Sequence, residues 1–144
     1  MSEFRRLLLA MALGSLPALS APLDENALVI RASGFKHERG HAIAKVFQVG
    51  DDVLRHGRWQ VRATIQNGRA AFQVPGLAAG AYAVVVFHDE NDNGEIDHYV
   101  IGLPKEPLGF SNGFSMSLTS GKPTFEKLRF DHALGSQGID VVVK

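Results

Sequence analysis

The sequence predicts an all-β protein, an antiparallel β-sandwich of about seven short strands, immunoglobulin-like or transthyretin-like. Three observations carry this. Residues 58–65 alternate without a break, with Trp59, Val61, Ala63 and Ile65 on one side and Arg58, Gln60, Arg62 and Thr64 on the other. That is the two-residue period of a half-buried strand. Turn-forming pairs recur between apolar runs, among them Asn67-Gly68, Pro75-Gly76 and Ala79-Gly80. No stretch carries the longer apolar period of an extended amphipathic helix, and short strands divided by regular turns fit a sandwich.

The elements follow in order. Residues 1–20 read as a secretory signal peptide, not as fold. Arg5 and Arg6 supply a positive start, residues 7–19 a short apolar stretch broken by Gly14 and Pro17, and Ala18-Leu19-Ser20 small residues for cleavage. The stretch is shorter than the ~20 residues a membrane-spanning helix needs. Residues 21–144 are then one sandwich domain. Strands are expected at residues 28–33 and 43–49, with a single helical turn at 51–56. The alternating strand at 58–65 runs into Asn67-Gly68, which tolerates the positive φ of a tight hairpin turn, and Ala70, Phe72 and Val74 form the return strand. Residues 82–87 are apolar at every position, which suits a central strand. Further strands are expected at 125–130 and 139–143, the last turning Ile139, Val141 and Val143 inward. Residues 101–122, rich in Gly, Pro and Ser, form a long loop of the sort that carries function or lacks order.

Composition narrows the function classes. Removing residues 1–20 from the 144 leaves 124 residues, enough for a real core. Without Arg5, Arg6 and Glu3, 13 basic residues face 14 acidic ones, so no basic face for nucleic acid is expected. The chain has no cysteine; in an oxidising compartment its stability must come from packing. The expected location is periplasmic or secreted, with no transmembrane segment after signal cleavage, as a monomer meeting an envelope or extracellular partner.

The acidic run after the central strand carries the most chemistry. Asp89, Asn91, Asn93 and Asp97 stand at positions 1, 3, 5 and 9 of a calcium loop, and Gly94 at its sharp turn. With the Glu95 carbonyl at position 7 this gives five oxygen ligands for Ca²⁺. A full loop closes with a bidentate Glu at position 12, where this chain has Val100, so closure falls to Glu106, Glu126 or water. The contrasting reading is a metal-free turn in which Asp89, Asn91 and Asn93 cap backbone N–H groups.

Six segments occur in an order that resembles a known family: Gly80-Ala81-Tyr82; Val86-Phe87-His88-Asp89-Glu90-Asn91; Asn93-Gly94 with Asp97; Gly102-Leu103-Pro104-Lys105-Glu106-Pro107; Gly109-Phe110-Ser111-Asn112; and Pro123-Thr124-Phe125-Glu126. They are similar to the bacterial domain-of-unknown-function family 2141, over roughly residues 27 to 144. The resemblance implies a small exported β-rich domain and no particular reaction. Family members often carry an aromatic just before the Gly-Phe-Ser run, whereas here Leu108 removes any ring-stacking role. Residues 76–82 also resemble the corresponding turn of transthyretin-like and carboxypeptidase-regulatory-like sandwiches, mainly structural or adhesive modules.

Beyond the ion loop, His88, Lys105, Glu106, Phe110 and Asn112 are candidate ligand-binding residues. In one reading Lys105 and Glu106 pair with Asp97 or His88, Phe110 floors a pocket and Asn112 is its hydrogen-bonding arm. In the other, Phe110 plugs the core and Ser111-Asn112 makes a turn. A triad of His88, Asp89 and Ser111 is excluded, because neighbours on a strand face opposite ways. His37, His41, His56, His98 and His132 are scattered, so no transition-metal site is expected without cysteine or paired histidines. The expectation is a non-catalytic, calcium-stabilised binding or structural module, not an enzyme. Its rivals are a hydrolase or lyase using His88, Glu90 and Glu106, and a carbohydrate-binding module using Trp59 or Tyr99.

Overall fold

The computed structural model describes residues 24–144; the expected signal peptide lies outside the described residues. Eight strands form two stacked sheets. They are β1 (Leu28–Ser33), β2 (His41–Gln48), β3 (Trp59–Ala63), β4 (Arg69–Val74), β5 (Gly80–Asp89), β6 (Leu108–Phe110), β7 (Phe130–His132) and β8 (Ile139–Val142), with one short helix, α1 (Phe125–Leu128), before β7. The first sheet has the order β4-β1-β8, and the second β3-β2-β5-β6, with β7 also on β5. All pairings are antiparallel except β1 with β8.

The main core lies between the sheets. Leu28, Ile30 and Ala32 of β1 and Ala70, Phe72 and Val74 of β4 meet Ala44, Val46, Val84 and Val86 of the facing sheet. A second, smaller core covers the outer face of the larger sheet, where Phe47, Ala83 and Val85 pack against Phe110, Phe125 and Leu128. This explains why β5 reads as apolar at both parities: Ala83 through Asp89 are buried without a break. Covering both faces of one strand takes an extra layer, which α1 and the segment around Phe110 supply.

Three expectations are corrected. Asn67 (φ 51°) and Gly68 (φ 71°) do make a two-residue turn closed by a Gln66–Arg69 bridge. Beyond that bridge the strands part, β3 pairing with β2 and β4 with β1, so the turn links two sheets and is no hairpin arm. Residues 125–130 are not one strand. Phe125 and Leu128, three apart, both point into the outer core from α1, and β7 follows. Residues 51–56 form a turn closed by Arg55 N–H on the Asp52 carbonyl (3.0 Å) and not a helical turn.

The long segment is pinned at one run. The Ser111 hydroxyl, fully buried, accepts from Val84 N–H (2.9 Å) and donates to the Leu128 carbonyl (2.6 Å). Leu108 and Lys144 exchange backbone hydrogen bonds (3.2 and 3.0 Å), which ties β6 to the chain just past β8. Gly109 permits this approach, since a Cβ there would meet Val141 Cγ1 and the Val142 carbonyl oxygen at 2.7 Å.

Candidate functional site

The end of β5 supports the site. Successive strand residues point to opposite faces. Asp89 therefore joins Val85 and Phe87 on the outer side, while His88 joins Val84 and Val86 on the inner side. Asp89 is fully buried. Its two carboxylate oxygens accept from Asn93 N–H (3.1 Å) and Gly94 N–H (2.8 Å). Those donors face inward because the loop takes positive φ at Asp92 (58°) and Gly94 (77°); at Gly94 the missing Cβ makes that angle cheap.

Asn91, Asn93 and Asp97 turn toward the same interior. The Asn91 and Asn93 amides donate to the two oxygens of Asp97 (2.6 and 3.0 Å). Their carbonyl oxygens accept from Asn93 N–H (3.3 Å) and Glu95 N–H (2.9 Å). The backbone capping expected of a metal-free turn is thus formed, and the four oxygen-bearing side chains of the ion reading also converge. An amide rotation would turn an oxygen toward Asp97 in place of a donor. The Glu95 side chain points elsewhere, to Lys45 (3.8 Å) and His56 (4.0 Å), so only its carbonyl could serve the loop.

Val100 is fully exposed and closes nothing. Glu106 comes back from the long segment instead, only 8% exposed. Its two oxygens accept from Glu90 N–H (3.3 Å) and Asp97 N–H (3.4 Å). Burial pushes its carboxyl above the ordinary glutamate range; those two hydrogen bonds partly offset this, and the charges of Asp89 and Asp97 push the same way as burial. Glu126, the other residue considered for closure, is exposed on α1 near Arg129 (4.0 Å). Among the described residues, no ion pair joins Asp89, Asp97 or Glu106 to a basic side chain.

The other candidates divide. Lys105 is held to the loop by its backbone, its N–H donating to the Asp97 carbonyl (2.8 Å), while its ammonium lies over the Tyr99 ring (5.4 Å). The expected side-chain pairing with Asp97 or His88 is not formed, because the stem turns toward the aromatic ring. Phe110 is buried in the outer core and walls a cleft of about 460 Å³ shared with Lys45, His56, Leu103 and Met116. Asn112 (φ 58°) is in a left-handed turn and gives its amide to the Lys127 carbonyl (3.2 Å). Phe110 plugs and Asn112 turns, with Ser111 clamped between them. Trp59 packs against the main core.

His88 stays on the inner side, where its Nε2 lies 2.6 Å from the Arg39 carbonyl and Phe35 packs edge-on (5.5 Å). No hydrogen bond links its ring to Glu106 or Ser111. Contrary to the expectation of scattered histidines, His37 joins it: the rings lie 4.5 Å apart, and His37 Nε2 is 3.2 Å from Glu90 Oε1. His88 and Glu90 share a face as alternate residues, a legible signal; His37 gave none.

With the geometry in place, comparison with known proteins settles the family. Residues 30–140 match the family described as uncharacterized protein conserved in bacteria (DUF2141). The chain belongs to that family. No curated protein and no solved structure matches the chain. No helix among the described residues is long and apolar enough to cross a membrane.

Proposed function

We propose that this DUF2141 chain is an exported, non-catalytic β-sandwich module of the envelope or periplasm, with a binding or structural role, and that its acidic loop holds Ca²⁺. The ligands are Asp89, Asn91, Asn93 and Asp97 with the Glu95 carbonyl, and Glu106 supplies the closure that Val100 does not. One observation carries the reading: Asp89 is fully buried beside Asp97 and Glu106, and no described basic side chain pairs with any of the three. Burying like charges together without a counter-charge is costly, and a hard divalent cation with oxygen ligands removes that cost. Because Glu106 belongs to the long segment and the other ligands to the end of β5 and the loop after it, the ion ties the two together. That stiffens the rim of the cleft walled by Phe110 and Met116, the surface offered to a partner.

Calcium titration followed by thermal melting tests this. An ion bound to the native state raises stability by RT ln(1 + [L]/Kd). The melting temperature should climb with calcium in the parent chain and stay flat in Asp89→Ala. A parent chain whose melt ignores millimolar calcium would remove the ion from the account.

A further inference from the structure

On the inner side of β5, opposite the acidic loop, we infer that His37, His88 and Glu90 form a second, separate metal site, one for a borderline divalent ion such as Zn²⁺. One donor atom from each of the three lies within 4.8 Å of the other two. Two imidazoles and a carboxylate are a zinc-type donor set, leaving a fourth position open to water. Ligands at ~2.0–2.1 Å in a tetrahedron stand roughly 3.4 Å apart, so the side chains need to close by about 1.4 Å at most. His37 and Glu90 are only partly buried and can make that movement.

Several features point to a ligand and not to a surface ion pair. A carbonyl only accepts, so His88 Nε2 must donate to Arg39, which leaves Nδ1 as the ring nitrogen available to an ion. Metal-ligating histidines commonly donate their other N–H to a backbone carbonyl in this way, which fixes tautomer and ring angle. His88 is 1% exposed, and its ring makes no other hydrogen bond among the described residues. His37 Nδ1 is buried with no partner at all, a waste in a ring that serves only to meet Glu90. The backbone also presses the two elements together. Gly40 takes φ 71°, and a Cβ there would overlap the Asp89 carbonyl oxygen, so the loop carrying His37 sits directly on the end of β5. The inference does not depend on calcium in the acidic loop.

The test is zinc titration by calorimetry into chelator-treated chain, with the visible absorption of bound Co²⁺ as a second readout of four-coordinate geometry. The parent chain should take one Zn²⁺ per chain. His37→Ala and Glu90→Gln, both at partly exposed positions, should each weaken it at least tenfold and abolish the four-coordinate cobalt spectrum; buried His88 is left unaltered. Both variants should melt cooperatively within a few degrees of the parent, which shows that they fold, and should keep the parent's thermal response to calcium. No one-to-one zinc binding in the parent, or unchanged affinity in both variants, overturns the site. Loss of the parent's calcium response in both variants overturns its separateness from the loop.

Discussion

Replacing Glu106 by glutamine should change stability in opposite directions with and without calcium. In chelator, the parent buries the Glu106 carboxyl near Asp89 and Asp97, with only two long hydrogen bonds (3.3 and 3.4 Å) to hold it. Glutamine keeps the shape, removes the charge and loses one of those acceptors, a bond at the weak end of the usual ~0.5–1.5 kcal/mol. The variant should therefore equal or exceed the parent in chelator. Calcium reverses the order. Extracellular sites have dissociation constants of ~10⁻⁴–10⁻³ M, so ~10 mM calcium should add about 1.4–2.7 kcal/mol to the parent. At about 3–6 °C per kcal/mol for a chain of this size, that is roughly 4–16 °C. The glutamine variant, lacking the closing carboxylate, should gain less than half as much. Glu106 also sets a pH dependence. Its folded pKa is raised, so the metal-free native state holds this proton more tightly than the unfolded chain does. Its contribution is greatest below the ordinary glutamate value of 4.5 and is lost as pH rises through the raised one, and the variant lacks that slope. The assay is urea unfolding at several pH values, in chelator and in calcium. A variant less stable than the parent by the same amount in both would show Glu106 to be a packing residue with no tie to an ion.

Three further changes probe the scaffold. Ser111→Ala leaves Val84 N–H and the Leu128 carbonyl unpaired in the interior and should cost about 2–4 kcal/mol in urea unfolding. Gly109→Ala places a methyl 2.7 Å from Val141 Cγ1 and the Val142 carbonyl oxygen; it should cost about 1–3 kcal/mol and speed amide exchange at Leu108 and Lys144. Phe125→Ala empties part of the outer core. It should cost about 3–5 kcal/mol, with the fastest exchange gained at the short pairing of β7 with β5.

Side-chain period and turn chemistry made the scaffold legible where they act locally, and misled where the answer depended on another segment. The unbroken apolar run at 82–87 announced a strand covered on both faces, which it is. Asn67-Gly68 announced a reversal, and Gln66 does meet Arg69. Nothing in a two-residue turn says whether the flanking strands then stay together, and here they serve different sheets. Phe125, Leu128 and Phe130 fit a strand or a helical turn equally in so short a run; packing on Phe47 and Ala83 chose the helix. The alternation of Ile139, Val141 and Val143 gave the buried face of β8 but could not show that it runs parallel to β1. The same division holds at the site. Asp89, Asn91, Asn93 and Asp97 lie on one loop, so their convergence was readable from spacing. Glu106 was one of two residues considered for closure, and the tie of Lys105 N–H to the Asp97 carbonyl brings it there. His37 was invisible, because it stands 51 residues before His88 and meets it only through the turn at Gly40.

The end of β5 makes one stretch of backbone answer to two kinds of chemistry. His88 and Asp89 are adjacent and both buried, and strand alternation sends the imidazole inward and the carboxylate outward. An all-oxygen set gathers on one side and two imidazoles with the Glu90 carboxylate on the other, so hard and borderline ions would not compete for the same ligands. Both donor sets nevertheless depend on the same anchoring. His41 pairs with Asp89 across the sheet, and His88 N–H donates to the Pro107 carbonyl (3.1 Å), one residue beyond Glu106. An ion drawing Glu106 toward Asp97 therefore also fixes the carbonyl that holds His88 in register. Occupancy of the acidic loop should slow amide exchange at His88 even though no calcium ligand touches its ring. Unchanged exchange there, with calcium bound, would mean that the two faces of the strand end respond independently.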